Sequence, residues 1–173
     1  MAQRSITREG IEVHRFSIAA SIAVPLIAIL LQASLPLRLS FFSMFDMPLL
    51  VTIFFAVARR NPLAGTLTGC LIGLAQDALT YQHQPIGLFG ISKTVVGYLA
   101  SSIGVKIDVE NPGSRLLMTF GFYLLHRGIY QLLRDMARMP LEFNWAHELG
   151  SALSNALLAV ALFAILDRYK QRK

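Results

Sequence analysis

Residues 65–104 read GTLTGCLIGLAQDALTYQHQPIGLFGISKTVVGYLASSIG. Two apolar segments flank a polar elbow, Thr80–Gln84. The first carries Gly65, Gly69 and Gly73 at a four-residue spacing and ends on Gln76-Asp77. The second opens at Pro85 and holds one lysine, Lys93, in an otherwise apolar run. Glycines four apart share one face of a helix and let a second helix approach closely. In lipid, such van der Waals packing is a main source of helix association. The stretch therefore reads as a helical hairpin at the packing centre of a small membrane protein.

The rest of the chain has the same character. Its 173 residues are 54% hydrophobic and 15% charged, with a mean hydropathy of +0.53. A soluble domain carries about 25% charged residues. Roughly 20 apolar residues cross a bilayer as a helix, so six spans fit with short loops and no separate soluble domain. A membrane barrel would alternate apolar and polar residues over strands of about ten. Runs such as LLAVALFAIL at residues 157–166 exclude that pattern. The expectation is an all-α integral membrane protein. The formal charge of +6 and pI near 9.9 would suggest nucleic acid in a soluble chain. Here the basic residues sit at the ends of apolar blocks, which points to the cytoplasmic membrane surface and to no nucleic-acid partner. The single cysteine, Cys70, allows neither an internal disulfide nor a thiolate metal site. The polar start, MAQRSITREGIEVHR, is too long for a cleavable signal.

In chain order, residues 1–15 form a cytoplasmic tail in which Ile6, Ile11 and Val13 suit either a weak surface helix or a flexible segment. Residues 16–166 form the membrane domain, with spans expected at about 16–35, 41–58, 62–79, 85–105, 115–133 and 149–166. Residues 167–173 are a basic tail. Pro25 should kink span 1, which also carries the small pair Ala19 and Ala23; Pro36-Leu37-Arg38 should break the chain after it. Asp46-Met47-Pro48 is a helix opening, with the carboxylate capping free N–H groups and Pro placed where its own is unneeded. The apolar core after it is short. Either Phe41–Phe45 adds a kinked first turn, or this helix enters from a re-entrant or interfacial segment. Arg59-Arg60-Asn61-Pro62 is a tight basic turn, and Asn111-Pro112-Gly113 closes the loop before span 5. That span has room to continue to Met139 before Pro140. Trp145, in the loop before span 6, suits an interface anchor.

Six spans put both termini on one side. That side holds Arg4, Arg8, Arg15, Arg59, Arg60, Lys106, Arg115, Arg168, Lys170, Arg172 and Lys173; Arg38, Arg134 and Arg138 lie opposite. Eleven against three places both termini in the cytoplasm by the positive-inside tendency. Asp46, Asp77, Lys93 and Arg127 then fall at similar depth in the outward half. Burying a charge at the bilayer centre costs at least ~2.5–3.5 kcal/mol, so these four should face inward and pair. The expected pairs are Asp77 with Lys93, and Arg127 with Asp46 or Asp77. Such a cluster serves as a polar pocket for a solute, or as pairing that fixes helix register while Lys93 reaches outward. Ser92, Ser101 and Ser102 have no His/Asp partner at a recognisable spacing, and no protease or nucleotide-binding pattern occurs. Four histidines and one cysteine show no metal-ligand spacing. No enzyme, metal or cofactor is expected. Two small-residue stripes, Gly65/Gly69/Gly73 and Ala152/Ala156, suit helix docking, and a homodimer through one of them is a further expectation.

Residues 46–103 resemble the rod shape-determining protein MreD family. The resemblance lies in Asp46 and Pro48 opening one span, in Gly69, Gly73 and Asp77 along the next, in Gly87 after the polar elbow, and in Gly97-Tyr98-Leu99. The order Asp-Met-Pro departs from an adjacent proline–acid pair. Spans 1, 5 and 6 agree in hydropathy and length only. The resemblance implies a non-enzymatic component of the bacterial inner membrane in the wall-elongation machinery. Its implied partners are MreC and, through it, MreB, RodA and a class B penicillin-binding protein. The family also looks like the six-helix substrate-binding subunit of energy-coupling-factor vitamin transporters. That gives a second reading as a solute-binding subunit with an outward pocket. Charge reversal at Lys93 separates the two: it should abolish solute binding with the fold intact in a transporter, and disturb folding or assembly in a scaffold.

Overall fold

The computed structural model describes residues 15–79, 85–104, 111–140 and 144–171. The N-terminal surface-helix expectation, the whole 80–84 elbow with His83, Lys106 and the end of the basic tail lie outside them. Among the described residues six α-helices follow one another: α1 (Ile18–Arg38), α2 (Met47–Arg59), α3 (Pro62–Leu79), α4 (Leu88–Ile103), α5 (Pro112–Met136) and α6 (Trp145–Leu166). A short 3₁₀ turn, Ser40–Met44, leads into α2, and another, Asp167–Tyr169, follows α6. The only pairing of extended backbone among the described residues joins Arg15–Phe16 to Lys170–Gln171, antiparallel. Three stretches are long and apolar enough to cross a membrane: Ala19–Arg38, Ser40–Arg59 and Trp145–Leu166. Leu88–Ile103 is a shorter apolar helix.

The centre of the bundle is α2, not the hairpin that the glycine spacing singles out. Every residue from Pro48 to Ala58 is buried. A helix that is apolar all round is stable only when covered all round, and α2 carries one interior polar residue, Thr52. Its hydroxyl donates back to the Pro48 carbonyl at 2.8 Å and so needs no other partner. Ala28 and Ile29 of α1 and Phe163 of α6 belong to the core around it, and the Phe163 ring lies 5.3 Å from that of Phe54.

The α3–α4 hairpin is the tightest helix pair. Gly65, Gly69 and Gly73 are buried against α4. A Cβ added at these positions would collide in turn with the backbone carbonyls of Gly97, Lys93 and Phe89. The stripe is used inside the chain, and Ala152 and Ala156 are likewise fully buried in the bundle. Neither stripe is therefore an open dimer face, which corrects the expected homodimer contact. Ala19 and Ala23 are the small pair that remains exposed.

The bundle exterior is apolar. Leu63, Leu67, Leu71 and Leu74 on α3, Ile22, Leu26 and Leu30 on α1, and Leu149, Leu153 and Leu157 on α6 are all exposed. The interior holds Lys93, His126, Asn155 and Glu148. Apolar outside and polar inside is the arrangement of a membrane protein, because lipid rewards apolar contact and gives ionisable groups no partners.

Most boundaries shift by a few residues from the expected spans, α4 opening at Leu88 and α5 at Pro112, and two of the shifts have a local cause. Helix α1 runs through Pro36 to Arg38. Proline removes one amide, but the ladder resumes at once with Leu39 N–H donating to the Leu35 carbonyl at 2.9 Å. Helix α6 starts four residues early, at Trp145, because Asn144 caps it by accepting from Ala146 N–H at 3.0 Å. Trp145 stands exposed there.

Candidate functional site

Asp46 stands between the 3₁₀ turn and α2, where the first N–H groups of the helix lack partners. Its Oδ1 accepts from Leu49 N–H at 2.9 Å. Its other oxygen faces the bundle interior. There the Lys93 Nζ donates to Oδ2 at 2.6 Å, and His126 Nε2 lies 3.3 Å from the same oxygen. His126 Nε2 is also 3.5 Å from Lys93 Nζ. It thus donates to the carboxylate in one tautomer or accepts from the ammonium in the other. In both, His126 Nδ1 is buried without a hydrogen-bond partner. Lys93 is wholly buried and His126 is 1% exposed. The aliphatic and charged ends of Lys93 stay in the core rather than reaching outward.

Asn155 of α6 completes the junction. Its Oδ1 accepts from Asp46 N–H at 2.9 Å, while Nδ2 donates to the Met44 and Ser151 carbonyls, both at 2.8 Å. Gln32 of α1 accepts from Met47 N–H at 3.1 Å. One short segment, Met44–Met47, is therefore held by side chains from α1, α4, α5 and α6. Phe89 forms an aromatic wall: its ring lies 4.8 Å from Tyr130, 6.1 Å from His126 and 5.0 Å from Lys93 Nζ.

Asp77 does not pair with Lys93. The cap position just before α4 is Gly87, whose φ of 113° suits glycine and which has no side chain to cap the helix. Asp77 reaches over from the end of α3 instead. Its Oδ2 accepts from Gly87 N–H and Gly90 N–H, both at 2.9 Å, and its Oδ1 accepts from Phe89 N–H at 3.1 Å. The positive end of the α4 dipole balances its charge.

Arg127 pairs with neither aspartate. It grips Glu148, with Nε donating to Oε2 at 2.8 Å and Nη2 to Oε1 at 2.5 Å, and lies 5.4 Å from the Tyr130 ring. The four predicted residues thus divide into three units: Asp46 with Lys93, Asp77 on the α4 amides, and Arg127 with Glu148. Glu148, His126 and Asn155 were not singled out as site residues. A lone Asn in the alanine-rich run of α6 and a histidine beside Arg127 were the available signals. Among the described residues no three His, Cys, Asp or Glu side chains converge as metal ligands do.

Every formal charge in this region is matched by an opposite charge or a helix terminus. The junction can hold helices in register. The open groove that stands out lies elsewhere, about 360 Å³ between α4 and α5 and lined by apolar side chains such as Leu99, Leu117 and Phe122.

Over 90 residues, 51% of this chain, the sequence is 30% identical to the acetate transporter protein patA of Aspergillus clavatus. The match covers 36% of that protein, so the chain spans about a third of its length. No known protein family matches the chain, and no solved structure does.

Proposed function

We propose that this protein is a non-enzymatic scaffold of the bacterial inner membrane, with six membrane-crossing helices and both termini in the cytoplasm. Its role is to bind MreC and link it to MreB, RodA and a class B penicillin-binding protein, so maintaining rod shape during wall elongation. The resemblance of residues 46–103 to the MreD family names these partners. The observation that carries the scaffold over the transporter is the closed state of the polar junction. Of the two cations that an outward pocket would use, Lys93 is fully buried on Asp46 and His126, and Arg127 is taken by Glu148. A solute would have to displace Asp46, which also caps α2 and is held through its backbone by Asn155.

The second reading is a solute-binding subunit of the energy-coupling-factor type. Partial similarity to a protein named as an acetate transporter favours transport in general, though not this vitamin-binding class. A detergent pull-down of tagged protein from its native membranes tests both, with proteins and small molecules identified by mass spectrometry. Recovery of MreC and the wall synthases without a stoichiometric solute is the expected result. Recovery of a bound solute with an ATPase module would overturn the scaffold. Lys93→Glu would place two carboxylates together in the core, so loss of the folded protein is expected rather than a folded chain deficient in ligand.

A further inference from the structure

At the opposite end of α2 from Asp46, two adjacent guanidiniums lack any acidic partner among the described residues. Arg59 is half-buried. Its Nη2 donates to Ser21 Oγ at 2.8 Å and its Nη1 to Thr68 Oγ1 at 3.4 Å, and it sits 5.2 Å over the Phe55 ring. Two neutral hydroxyls and an aromatic face fix the direction of the guanidinium without cancelling its charge. Arg60 follows in the left-handed conformation, φ 50°. Glycine or asparagine usually fills this position after a helix, because a Cβ is crowded there. Arg60 Nε is buried with no hydrogen-bond partner. The first turn of α3, which starts at Pro62, contains no acid. At the same end of the bundle, Arg115 is already matched by Asp167 at 2.5 Å. Arg59 and Arg60 thus stand, without an acidic partner among the described residues, at the corner where α1, α2 and α3 meet. Directly beside it, Leu63 and Leu67 of α3 and Ile22 and Leu26 of α1 are exposed along the apolar belt.

Two consecutive arginines at a helix junction, neither with an acidic partner among the described residues, together with exposed apolar side chains on the adjoining helices match a ligand with a phosphate head and hydrocarbon tails. We propose that the Arg59–Arg60 corner binds an anionic phospholipid of the surrounding bilayer. Its phosphodiester lies on the two guanidiniums, and an acyl chain lies against Leu63, Leu67, Ile22 and Leu26. The lipid supplies the counter-charge that the fold omits. This rests on the reading of the bundle as membrane-spanning with this end at the cytoplasmic face.

The test uses the full chain extracted in detergent and exposed to phosphatidylglycerol or phosphatidylcholine, with retained lipid counted by native mass spectrometry. Phosphatidylglycerol should be retained in preference. Arg60→Gly relieves the left-handed Cβ, so its thermal unfolding in detergent should be unchanged or raised while phosphatidylglycerol retention falls about fivefold. Arg59→Gln in addition should abolish the preference. Equal retention of the two lipids, or a preference unchanged in Arg60→Gly, would overturn the proposal. Displacement of the lipid by millimolar inorganic phosphate would also overturn it, assigning the corner to a soluble anion. A chain that stays in solution without detergent would instead overturn the membrane reading on which the proposal rests.

Discussion

Asp46 serves two helices with two oxygens, capping α2 through Oδ1 and taking the Lys93 ammonium on Oδ2. These roles separate by substitution. Asparagine caps a helix about as well as aspartate, so Asp46→Asn keeps the first and removes the countercharge of Lys93. A buried charge left without its partner destabilises by about 3–5 kcal/mol, whereas an apolar replacement of the whole pair is close to neutral. Asp46→Asn and Lys93→Met are each expected to lower stability by that amount, and the double variant to recover most of it. Denaturant unfolding followed by circular dichroism in detergent measures the cycle; a double variant as unstable as the sum of the singles would refute the pairing. Asp77→Ala tests the other aspartate. It removes the acceptor of three α4 amides, and a cap of this kind contributes about 0.5–2 kcal/mol, so Asp77→Ala should be destabilising and Asp77→Asn milder. The cap by Asp46 was legible in Asp46-Met47-Pro48, because capping is local. The partner of Lys93 was not. Asp77 is its near neighbour across the hairpin, but both Asp77 oxygens are taken by the start of α4, and the partner lies 47 positions away. Pairing across a bundle depends on helix rotation, which no spacing within one helix records.

The contact between α3 and α4 shows what a periodic pattern does and does not specify. Spacing by four put Gly65, Gly69 and Gly73 on one face, and the structure puts that face on α4. The pattern has no term for whether the partner is a neighbouring helix or a second copy, so the dimer expectation read the right stripe against the wrong surface. A Cβ at Gly69 meets the rigid backbone of Lys93 and Thr94, which yields only if the helices part. Gly69→Ala should therefore destabilise by about 1–3 kcal/mol, the usual cost of overpacking. Helix α5 supplies the control: Gly121 is also helical, and its added Cβ meets nothing within 4 Å. Gly121→Ala should be neutral or gain up to about 1 kcal/mol from helix propensity. Thermal unfolding of the two variants side by side decides it, and similar losses in both would mean that the close approach is not what the glycines provide. The burial of α2 was also readable, since Met47–Arg59 offers no polar face. Its central place was obscured because a short apolar run says only that it must be covered, not by how many neighbours.

The proposed whole-molecule orientation rests on charge and on how the two ends of the chain meet. Arg15–Phe16 lies antiparallel to Lys170–Gln171, so the segments before α1 and after α6 come together at one end of the bundle. An even number of crossings requires this, and the proposed six-span topology satisfies it. On that topology, the basic residues divide eleven to three, with the larger number on the side of the termini. Cytoplasmic loops carry the Lys/Arg excess, and the bias sets orientation. Single cysteines in a Cys70→Ser background measure it directly with a membrane-impermeant maleimide. Arg38 ends α1 at the far end of the bundle, Arg138 follows α5, and Arg168 follows α6; all three are exposed. Arg38→Cys and Arg138→Cys should label in intact cells stripped of their outer layers, and Arg168→Cys only in inverted vesicles. None of the substitutions can create the result by itself. Removing Arg38 or Arg138 deepens the existing bias, and removing Arg168 still leaves ten basic residues against three. Labelling of all three from one side would break the six-span count. The reverse labelling would keep the count and place the Arg59–Arg60 corner outside, where the anionic lipid of the cytoplasmic leaflet cannot reach it.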